Sequence, residues 1–318
     1  MINKPVIISA LKGGLGNQMF QYAAGFSLAL KNKTEQKIDI SGYDDVRVIN
    51  SDTPRKFALS IFNITSPIAL SGEILKAKYP LGKLSKAWRF FKQRILKQNY
   101  TDYDPKLFKK ITTEIEKFRS TNKSNQTKKD LNFYLDGFFQ SEKNFSEFTT
   151  QIRQEFTFKK EFFDEKVKQL AEVMQKENSV SIHVRRGDYI NDKKTNKYHG
   201  VCPIEYYEEA IELIKEKISQ QKNYTQSEPT FYIFTDDEKW VTENFPSYIN
   251  VSKNHFKDQE EMYLMSQCKH HIIANSSFSW WGAWLNKNSD KIVIAPQKWV
   301  NKEPNPHLNI IPETWIKI

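Results

Sequence analysis

The C-terminal half of the chain alternates short apolar runs, typical of buried strands, with longer segments in which apolar residues recur at helical spacing. Such alternation predicts a parallel, doubly wound α/β sheet with right-handed crossovers. Pro203 fits the first turn of one helix, where its missing N–H costs nothing. The predicted strands are 180–184, 231–234, 248–251, 271–274 and 292–295, and the predicted helices are 203–219, 237–245, 259–268 and 279–286.

The N-terminal half begins with a strand, a glycine-rich loop and a helix. Residues 6–8 predict a short buried strand, glycines follow in the run 13–16, and we expect Asn17 to open a helix reaching about residue 30. The loop permits close backbone approach to a ligand, but it matches neither the dinucleotide-binding pattern nor a P-loop. We also predict a strand within 133–139 and a helix at 141–156, near a domain junction.

The length of 318 residues predicts two domains, because single hydrophobic cores stop growing near roughly 250–300 residues. We place them at 1–158 and 159–318. Apolar residues make up 39% and charged residues 27%, which is typical of a globular fold rather than a disordered chain. Without a signal-peptide pattern or a run of roughly 20 apolar residues, we expect a cytoplasmic protein. Cys202 and Cys268 are then expected to be reduced and structural.

Three polar clusters follow predicted strands of the C-terminal half. They occupy 183–188, 235–237 and 275–278, after the first, second and fourth of these strands. In open parallel sheets, ligands bind outside the carboxyl ends of the strands. The clusters are separate in sequence and converge on one edge of the predicted sheet, so we expect a binding site there.

The first cluster contains two adjacent arginines, whose planar guanidinium groups suit phosphate. Arg185 is the better candidate for a pyrophosphate, because side chains of neighbouring strand residues point in opposite directions. Arg186 would then brace the site or pair with Asp188. His183 could donate to the same phosphate or hold a neighbouring carbonyl. A surface Arg–Asp pair beside a satisfied histidine is the alternative interpretation.

The other two clusters also allow two interpretations. Ser276 and Ser277 place hydroxyl and N–H groups where an anion would meet a helix N-terminus, and they could equally cap that helix. Asp236 and Asp237 could receive ribose hydroxyls or the N1–H and amino group of guanine, or could form an N-cap and acidic first turn. We expect the tryptophans of the following helix to be core residues rather than a sugar platform; they are Trp280, Trp281 and Trp284.

Four segments together resemble the bacterial α-1,2-fucosyltransferases of glycosyltransferase family 11. The segments are 13–23, 183–189, 234–237 and 275–282, in that family's order, and they span nearly the whole chain. The resemblance implies a GT-B-like α/β fold, with two Rossmann-like domains facing a central cleft. The N-terminal domain would lie on the acceptor side, and the C-terminal domain would bind the GDP-sugar.

The resemblance also implies an activity. The enzyme would transfer L-fucose from GDP-β-L-fucose, with inversion, to the 2-hydroxyl of a β-galactoside, in O-antigen or surface glycan assembly. The acceptor would be a galactose-terminated glycan or a lipid-linked oligosaccharide. No cofactor or metal is expected, because GDP-fucose is a substrate and a cationic side chain would replace the metal. Transfer of another GDP-deoxyhexose such as colitose, or non-catalytic glycan binding, are the alternatives.

The resemblance assigns roles to individual residues. Arg185 would contact the β-phosphate, the run 276–278 would contact the donor, and Asn17 would lie near the reacting centre. The base that takes the acceptor proton is open between Asp136 and the departing phosphate. The expected catalytic residues are Arg185, Asn17 and His183, and the expected donor-binding residues are Gly14, Gly16, His183, Arg185, Asp188, Asp236, Asn275, Ser276, Ser277 and Phe278.

Metal and nucleic-acid chemistry have weaker support in the sequence. The segment 102–104 has the Asp-x-Asp pattern by which many nucleotide-sugar enzymes hold a divalent ion, but it follows no apolar strand and precedes Pro105. Lys and Arg outnumber Asp and Glu by 48 to 38, giving +10, yet no nucleic-acid-binding motif is present. We therefore expect neither a metal nor a nucleic-acid partner.

Much of the positive charge lies in one segment. Between Lys76 and Lys97 there are eight Lys or Arg and no acid, with apolar residues at helical spacing. A basic amphipathic helix of this kind can lie peripherally on an anionic membrane, such as the inner face of the plasma membrane. We favour the alternative, in which its apolar stripe, Leu84, Trp88, Phe91 and Ile95, joins the core and its basic face is solvated.

Overall fold

The protein was analysed as a computed structural model, which describes residues 4–45, 54–78, 102–122, 131–221, 228–301 and 309–318. The chain divides into two compact units, Met1–Thr157 with Leu308–Ile310 and Phe158–His307 with Ile311–Ile318. Each unit is built on its own parallel sheet. The predicted α/β class is therefore confirmed.

The N-terminal unit contains a three-stranded sheet in the order β2-β1-β3. The central strand pairs in parallel with both neighbours, and its inward-facing Ile7 packs against the first helix and Leu135. The elements are β1 (Val6–Ala10), α1 (Leu15–Lys31), β2 (Glu35–Asp39), α2 (Ser71–Lys78), α3 (Pro105–Asn122), β3 (Asn132–Leu135) and α4 (Thr149–Glu155).

Three predicted boundaries in this unit need correction. Helix α1 begins at Leu15 rather than Asn17, because Gly14 is extended and serves as its N-cap. The strand expected within 133–139 ends at Leu135, and Phe139 is left-handed with φ 53°, which excludes it from a strand. The helix expected over 141–156 is wrong in its first half, which forms two short 3-10 turns before α4.

The C-terminal unit contains a six-stranded sheet in the order β6-β5-β4-β7-β8-β9, with every pairing parallel. Its first five strands are those predicted, with ends shifted by one or two residues. The two-residue strand β9 at the far edge was not predicted. The strands are β4 (Ser179–Val184), β5 (Thr230–Thr235), β6 (Ile249–Asn250), β7 (His270–Ile272), β8 (Val293–Ala295) and β9 (Ile316–Lys317).

Helices connect these strands, as the alternation predicts. Pro203 is the extended N-cap of α8 rather than a residue of its first turn, which corrects the prediction by one position. The helices are α5 (Glu165–Lys176), α6 (Gly187–Asn191), α7 (Lys193–His199), α8 (Ile204–Ser219), α9 (Glu238–Asn244), α10 (Asp258–Gln267) and α11 (Ser277–Leu285).

The aromatic side chains of α11 belong to the core, as predicted. Trp280 and Trp281 are fully buried and Trp284 is nearly so, and their rings contact one another. Cys202 and Cys268 are buried and unpaired. Both expectations are confirmed.

The basic segment predicted between Lys76 and Lys97 falls outside the described residues from position 79 onward. Its first residues end α2, where the Lys78 ammonium lies 3.0 Å from the Asp39 carboxylate. Among the described helices, none combines the length and the apolar composition needed to cross a membrane. The proposed membrane contact stays a prediction.

Candidate active site

The three predicted clusters follow neighbouring strands of the C-terminal sheet. Strand β4 lies between β5 and β7, so the residues after these strands share one sheet edge. The cluster from β4 begins inside the strand with His183, the cluster from β5 ends in the N-cap of α9, and the cluster from β7 leads into α11. The convergence expected from sequence is therefore present in the structure.

A carboxylate joins the first two clusters. Asp236 Oδ2 lies 2.8 Å from the guanidinium of Arg185, and Asp236 Oδ1 accepts a hydrogen bond from the backbone N–H of Arg186 at 2.7 Å. A Cβ on Gly187 would lie 2.7 Å from the same carboxylate, so this close approach requires glycine. Asp236 therefore orients Arg185, and its predicted contact with the GDP-sugar stays a prediction.

Arg186 braces the site through Asp237 and Trp240. Its Nε lies 3.2 Å from Asp237 Oδ2, and its guanidinium carbon lies 4.4 Å from the ring centre of Trp240. Asp237 also caps α9 by accepting from the Trp240 N–H at 3.1 Å. The N-cap interpretation of Asp237 is thus confirmed. Of Asp188, only its backbone position in α6 is described.

His183 is a buried, neutral histidine near the end of β4. It is 5% exposed, and within the described ranges its Nδ1 has no hydrogen-bond partner. Burial lowers the pKa of His183 to about 3. The positive charge of Arg185 also lowers this pKa, whereas the negative charge of Asp236 raises it. The Phe278 ring centre lies 5.6 Å away. A neutral imidazole with an unpartnered nitrogen can donate to or accept from a ligand without carrying charge.

The third cluster separates into a helix cap and a support for the loop. Ser276 Oγ accepts from the Phe278 N–H at 3.3 Å and so caps α11, whose first residue is Ser277. Asn275 is buried and turned inward, donating to the His199 carbonyl at 3.0 Å and accepting from Cys202 Sγ at 3.7 Å. Asn275 therefore holds the loop that precedes α11, and its predicted contact with the GDP-sugar stays a prediction.

One acidic residue at this edge was missed by the sequence analysis. Glu261, in the first turn of α10, has its pKa raised to about 7 by burial and by the nearby carboxylates of Asp258, Asp236 and Glu238, while a hydrogen bond with Ser252 opposes the shift. In the sequence it is one acid of a helix start, with no signal to distinguish it. A strongly shifted pKa beside Asp236 makes Glu261 a further candidate for ligand binding.

The glycine-rich loop of the N-terminal unit lies at the carboxyl end of β1. Gly13 is left-handed with φ 78°, and its carbonyl accepts from the Gln18 side chain at 3.0 Å. Gln18 is fully buried and also bonds the backbone of Lys56 and Ala58, so it clamps a second segment onto the loop. Because of this burial, Gln18 supports the loop and does not face a ligand.

The clamped segment brings an unanticipated cation to the loop. A guanidinium nitrogen of Arg55 lies 3.8 Å from the position that a Cβ on Gly14 would take. Gly16 is buried inside α1, which places it among supporting residues rather than donor contacts. Asn17 is half-buried, and its Oδ1 accepts from Gln140 Nε2 at 2.6 Å.

The Asp-x-Asp segment does not have the arrangement of a metal site. Asp104 accepts from the Leu107 N–H at 2.9 Å and so caps α3, while Asp102 is buried. In the part of the chain that the structure describes, no three His, Cys, Asp or Glu side chains cluster as metal ligands. Independence from metal stays a prediction.

A comparison with protein families decides the assignment that these features suggest. The family model described as "Glycosyl transferase family 11" matches residues 6–318, almost the whole chain. The chain belongs to glycosyltransferase family 11. The resemblance carried by the four sequence segments is thereby confirmed.

Two bacterial glycosyltransferases match the chain over nearly its full length, and a mammalian fucosyltransferase matches part of it. It is 32% identical over 320 residues to an alpha-1,2-colitosyltransferase of Escherichia coli, covering 98% of this chain and 99% of that protein. It is also 32% identical over 333 residues to the O-antigen biosynthesis glycosyltransferase WbnK of Escherichia coli, with the same coverage. The galactoside alpha-(1,2)-fucosyltransferase 2 of Rattus norvegicus is 28% identical, over 44% of this chain and 39% of that one.

The fold also matches a solved structure. POFUT1 in complex with GDP-fucose aligns with a TM-score of 0.51 at 11% identity, over 93% of this chain and 99% of that chain. At this identity the match supports the fold alone. The match agrees with a GT-B-like fold of two α/β units. The candidate site residues of this family 11 protein are assigned from its own contacts.

Proposed function

We propose that this family 11 enzyme transfers L-fucose from GDP-β-L-fucose to the 2-hydroxyl of a β-galactoside, with inversion at the sugar. The observation that carries the proposal is the position of Arg185. It follows a buried strand, it is oriented by Asp236 at 2.8 Å, and it shares a sheet edge with the capped N-terminus of α11. This arrangement suits the pyrophosphate of a GDP-sugar.

The proposed chemistry follows from where charge develops. As the bond between the sugar C1 and the β-phosphate oxygen breaks, negative charge grows on the phosphate. The acceptor hydroxyl oxygen bonds to C1 and gives up its proton, for which Asp136 and the departing phosphate are the candidate bases. Arg185 and the N–H groups at the start of α11 would stabilise that charge, with His183 as a neutral hydrogen-bonding neighbour. Such stabilisation is greater in the transition state than in the ground state and so lowers the barrier. It requires no metal and no cofactor.

Colitose is the second candidate for the transferred sugar. The 32% identity to an alpha-1,2-colitosyltransferase over almost the full length favours it. A few side chains of the site would be enough to distinguish fucose from colitose. A site that hydrogen-bonds a particular sugar hydroxyl rejects an analogue that lacks this hydroxyl. The donor series in the assay below separates the two.

The acceptor is proposed to be a galactose-terminated glycan or a lipid-linked oligosaccharide of O-antigen assembly. The similarity to an O-antigen biosynthesis glycosyltransferase over 98% of the chain supports this choice. Assembly of such acceptors at the inner face of the plasma membrane would suit a cytoplasmic enzyme, with peripheral contact through the basic segment 76–97.

The proposal is tested with purified protein, lactose as the β-galactoside, and GDP-fucose, GDP-colitose and GDP-mannose as donors, each with and without EDTA. We expect an α-1,2-linked deoxyhexosyl product, identified by NMR, at the same rate with and without EDTA. Transfer that requires added metal would contradict the proposed role of Arg185. A protein that binds lactose but turns over none of the donors would instead be a glycan-binding protein.

A further inference from the structure

A second polar cluster lies in the N-terminal unit, at the carboxyl edge of its sheet. Asp136 directly follows β3, and Lys12 follows the neighbouring strand β1. The Lys12 ammonium lies 2.7 Å from Asp136 Oδ1 and 5.0 Å from the ring centre of Phe138. The lysine and aspartate side chains are 34% and 32% exposed, so the pair can meet a ligand. This is the edge at which parallel sheets bind ligands.

The loop carrying Asp136 is held in a fixed and unusual shape. Phe139 is left-handed, yet its ring is buried in the core, and its carbonyl accepts from the Ser141 N–H at 2.7 Å and from Asn144 Nδ2 at 2.9 Å. A Cβ on Gly137 would lie 2.9 Å from the Phe139 ring. A non-glycine residue keeps this conformation only where its surroundings fix it. The loop therefore presents Asp136 and Phe138 in one arrangement.

The same loop is joined to the start of α1. Gln140 Nε2 donates to Asn17 Oδ1 at 2.6 Å, and the Lys12 N–H donates to Gln21 Oε1 at 2.8 Å. A carboxylate, three carboxamides, an ammonium and an aromatic ring thus lie on connected elements at one sheet edge. Convergent polar groups of this kind beside an aromatic ring are typical of sites that bind small polar molecules.

The chemistry of the carboxylate selects its ligand. Lys12 holds Asp136 Oδ1, and no described residue donates to Oδ2. An ionised carboxylate only accepts hydrogen bonds, so its ligand must donate them. Sugar hydroxyls donate, whereas ionised phosphate oxygens do not and would be repelled. We propose that this cluster is the acceptor-sugar subsite, in which Asp136 binds acceptor hydroxyls and Lys12 keeps the carboxylate in place; this rests on the proposed transferase function.

The substitution Asp136→Asn tests the subsite, because it preserves size and an oxygen for Lys12 while removing the charge. Initial rates are measured against lactose at a saturating concentration of whichever GDP-sugar the wild-type protein uses. We expect the KM for lactose to rise on the order of 10- to 100-fold, as for loss of a hydrogen bond to a charged group. The donor KM and the release of GDP without acceptor are expected to stay at wild-type values.

Glu147→Gln is the matched control, since it also removes a lysine-paired carboxylate in the N-terminal unit. Glu147 pairs with Lys31, the last residue of α1, and both side chains are largely exposed. This variant is expected to leave both KM values unchanged. Saturation-transfer NMR with lactose and GDP gives a second reading of binding that does not require turnover, and thermal unfolding verifies that each variant is folded.

The two proposals fail in different ways. If wild-type protein transfers sugar and Asp136→Asn keeps both the KM for lactose and the lactose NMR signal, the subsite is overturned and the transferase proposal stands. If wild-type protein transfers from no GDP-sugar, the transferase proposal fails. The NMR comparison then still decides whether the Asp136 cluster binds a sugar.

Discussion

Arg185 illustrates how much of the proposed catalysis depends on a single fixed charge. Its guanidinium is half-buried, paired with Asp236 at 2.8 Å, and 5.4 Å from the ring centre of Tyr189. These contacts hold the planar group in one orientation before any substrate binds. A preorganised cation of this kind stabilises charge on a leaving group without the energy of rearranging solvent.

Replacing Arg185 by Ala is therefore expected to lower turnover on the order of 100-fold or more, by analogy with the loss of an oxyanion-hole donor. Arg185→Lys keeps the charge but loses the forked geometry, so its kcat should lie between that of wild-type protein and that of Arg185→Ala. The measurement is kcat with the GDP-sugar that wild-type protein uses. Near-normal kcat in folded Arg185→Ala would contradict the assignment.

Lys239→Ala provides the control for that experiment. Lys239 lies in α9 of the same unit, is 87% exposed, and forms a helical pair with Glu243. Removal of this cation should leave kcat unchanged. A loss of activity equal to that of Arg185→Ala would mean that general charge, and not the position of Arg185, is being measured.

Sequence predicts single residues well where a property is intrinsic to the residue or its neighbours. Arg185 could be assigned because guanidinium groups after a buried strand suit phosphate, and Trp280 because its spacing is helical. Arg185 pairs with Asp236, which lies 51 positions away in the sequence. Gln18 binds the backbone of Lys56, which lies 38 positions away. Such partners depend on how distant segments pack, which no local pattern encodes.

At the scale of elements, the contact of α1 with its sheet depends on one glycine. A Cβ on Gly25 would lie 1.9 Å from Ser9 Oγ of β1 and 2.6 Å from Gln36 Nε2 of β2. Ser9 and Gln36 are buried and bonded to each other at 3.0 Å, and Gln36 Nε2 also bonds the Tyr22 carbonyl of α1. The helix and both strands therefore meet at a point with no space for a methyl group.

Gly25→Ala is expected to lower the free energy of unfolding by about 1–3 kcal/mol, because overpacking in a core forces side chains and backbone to shift. Gly72→Ala is its control in α2, where nothing lies within 4 Å of the added Cβ. That variant should be neutral or more stable, since Ala has the higher helix propensity. Urea unfolding of both variants gives the comparison, and equal stabilities would contradict the packing argument.

The elements themselves were predictable in proportion to their length. Helix α8 and strand β4 were found within one residue of the predicted ends, because an apolar periodicity over many residues averages out local exceptions. Strand β9, Ile316–Lys317, is too short to have a periodicity. The turn after β3 was mistaken for strand because Phe138 and Phe139 are typical strand residues, and tertiary packing of the Phe139 ring overrides that preference.

At the scale of the whole molecule, the C-terminal unit contains several buried histidines that are neutral. Hydrogen bonds fix this state for His271: Asn286 Oδ1 accepts from the Asn288 N–H, so Asn286 Nδ2 faces His271 Nε2 at 2.6 Å. That nitrogen must accept, and Nδ1 then donates to Ser181 Oγ at 2.7 Å. Burial lowers the pKa of His183 to about 3, of His270 to about 4, and of His271 well below its ordinary value.

These pKa shifts predict that acid destabilises the fold. Between the folded values and the ordinary histidine value of about 6.5, the unfolded chain binds protons that the folded chain does not, so stability falls as pH falls. Each such proton changes the free energy of unfolding by about 1.4 kcal/mol per pH unit. Glu261 acts in the opposite direction, because its pKa is raised to about 7 and its contribution grows as pH falls from 7 towards 4.5. The histidines outnumber it, so their effect should dominate.

His270→Gln tests this account, because the new side chain retains an oxygen for the Ile292 N–H that His270 Nδ1 accepts at 3.0 Å. Urea unfolding between pH 7 and pH 5 should show a shallower loss of stability in the variant than in wild-type protein, by up to about 1.4 kcal/mol per pH unit. His255→Gln removes an 82% exposed histidine and should leave the profile unchanged. If stability falls equally with pH in His270→Gln and in wild-type protein, the prediction for His270 is wrong. The acid sensitivity of the C-terminal unit would then come from His183 and His271.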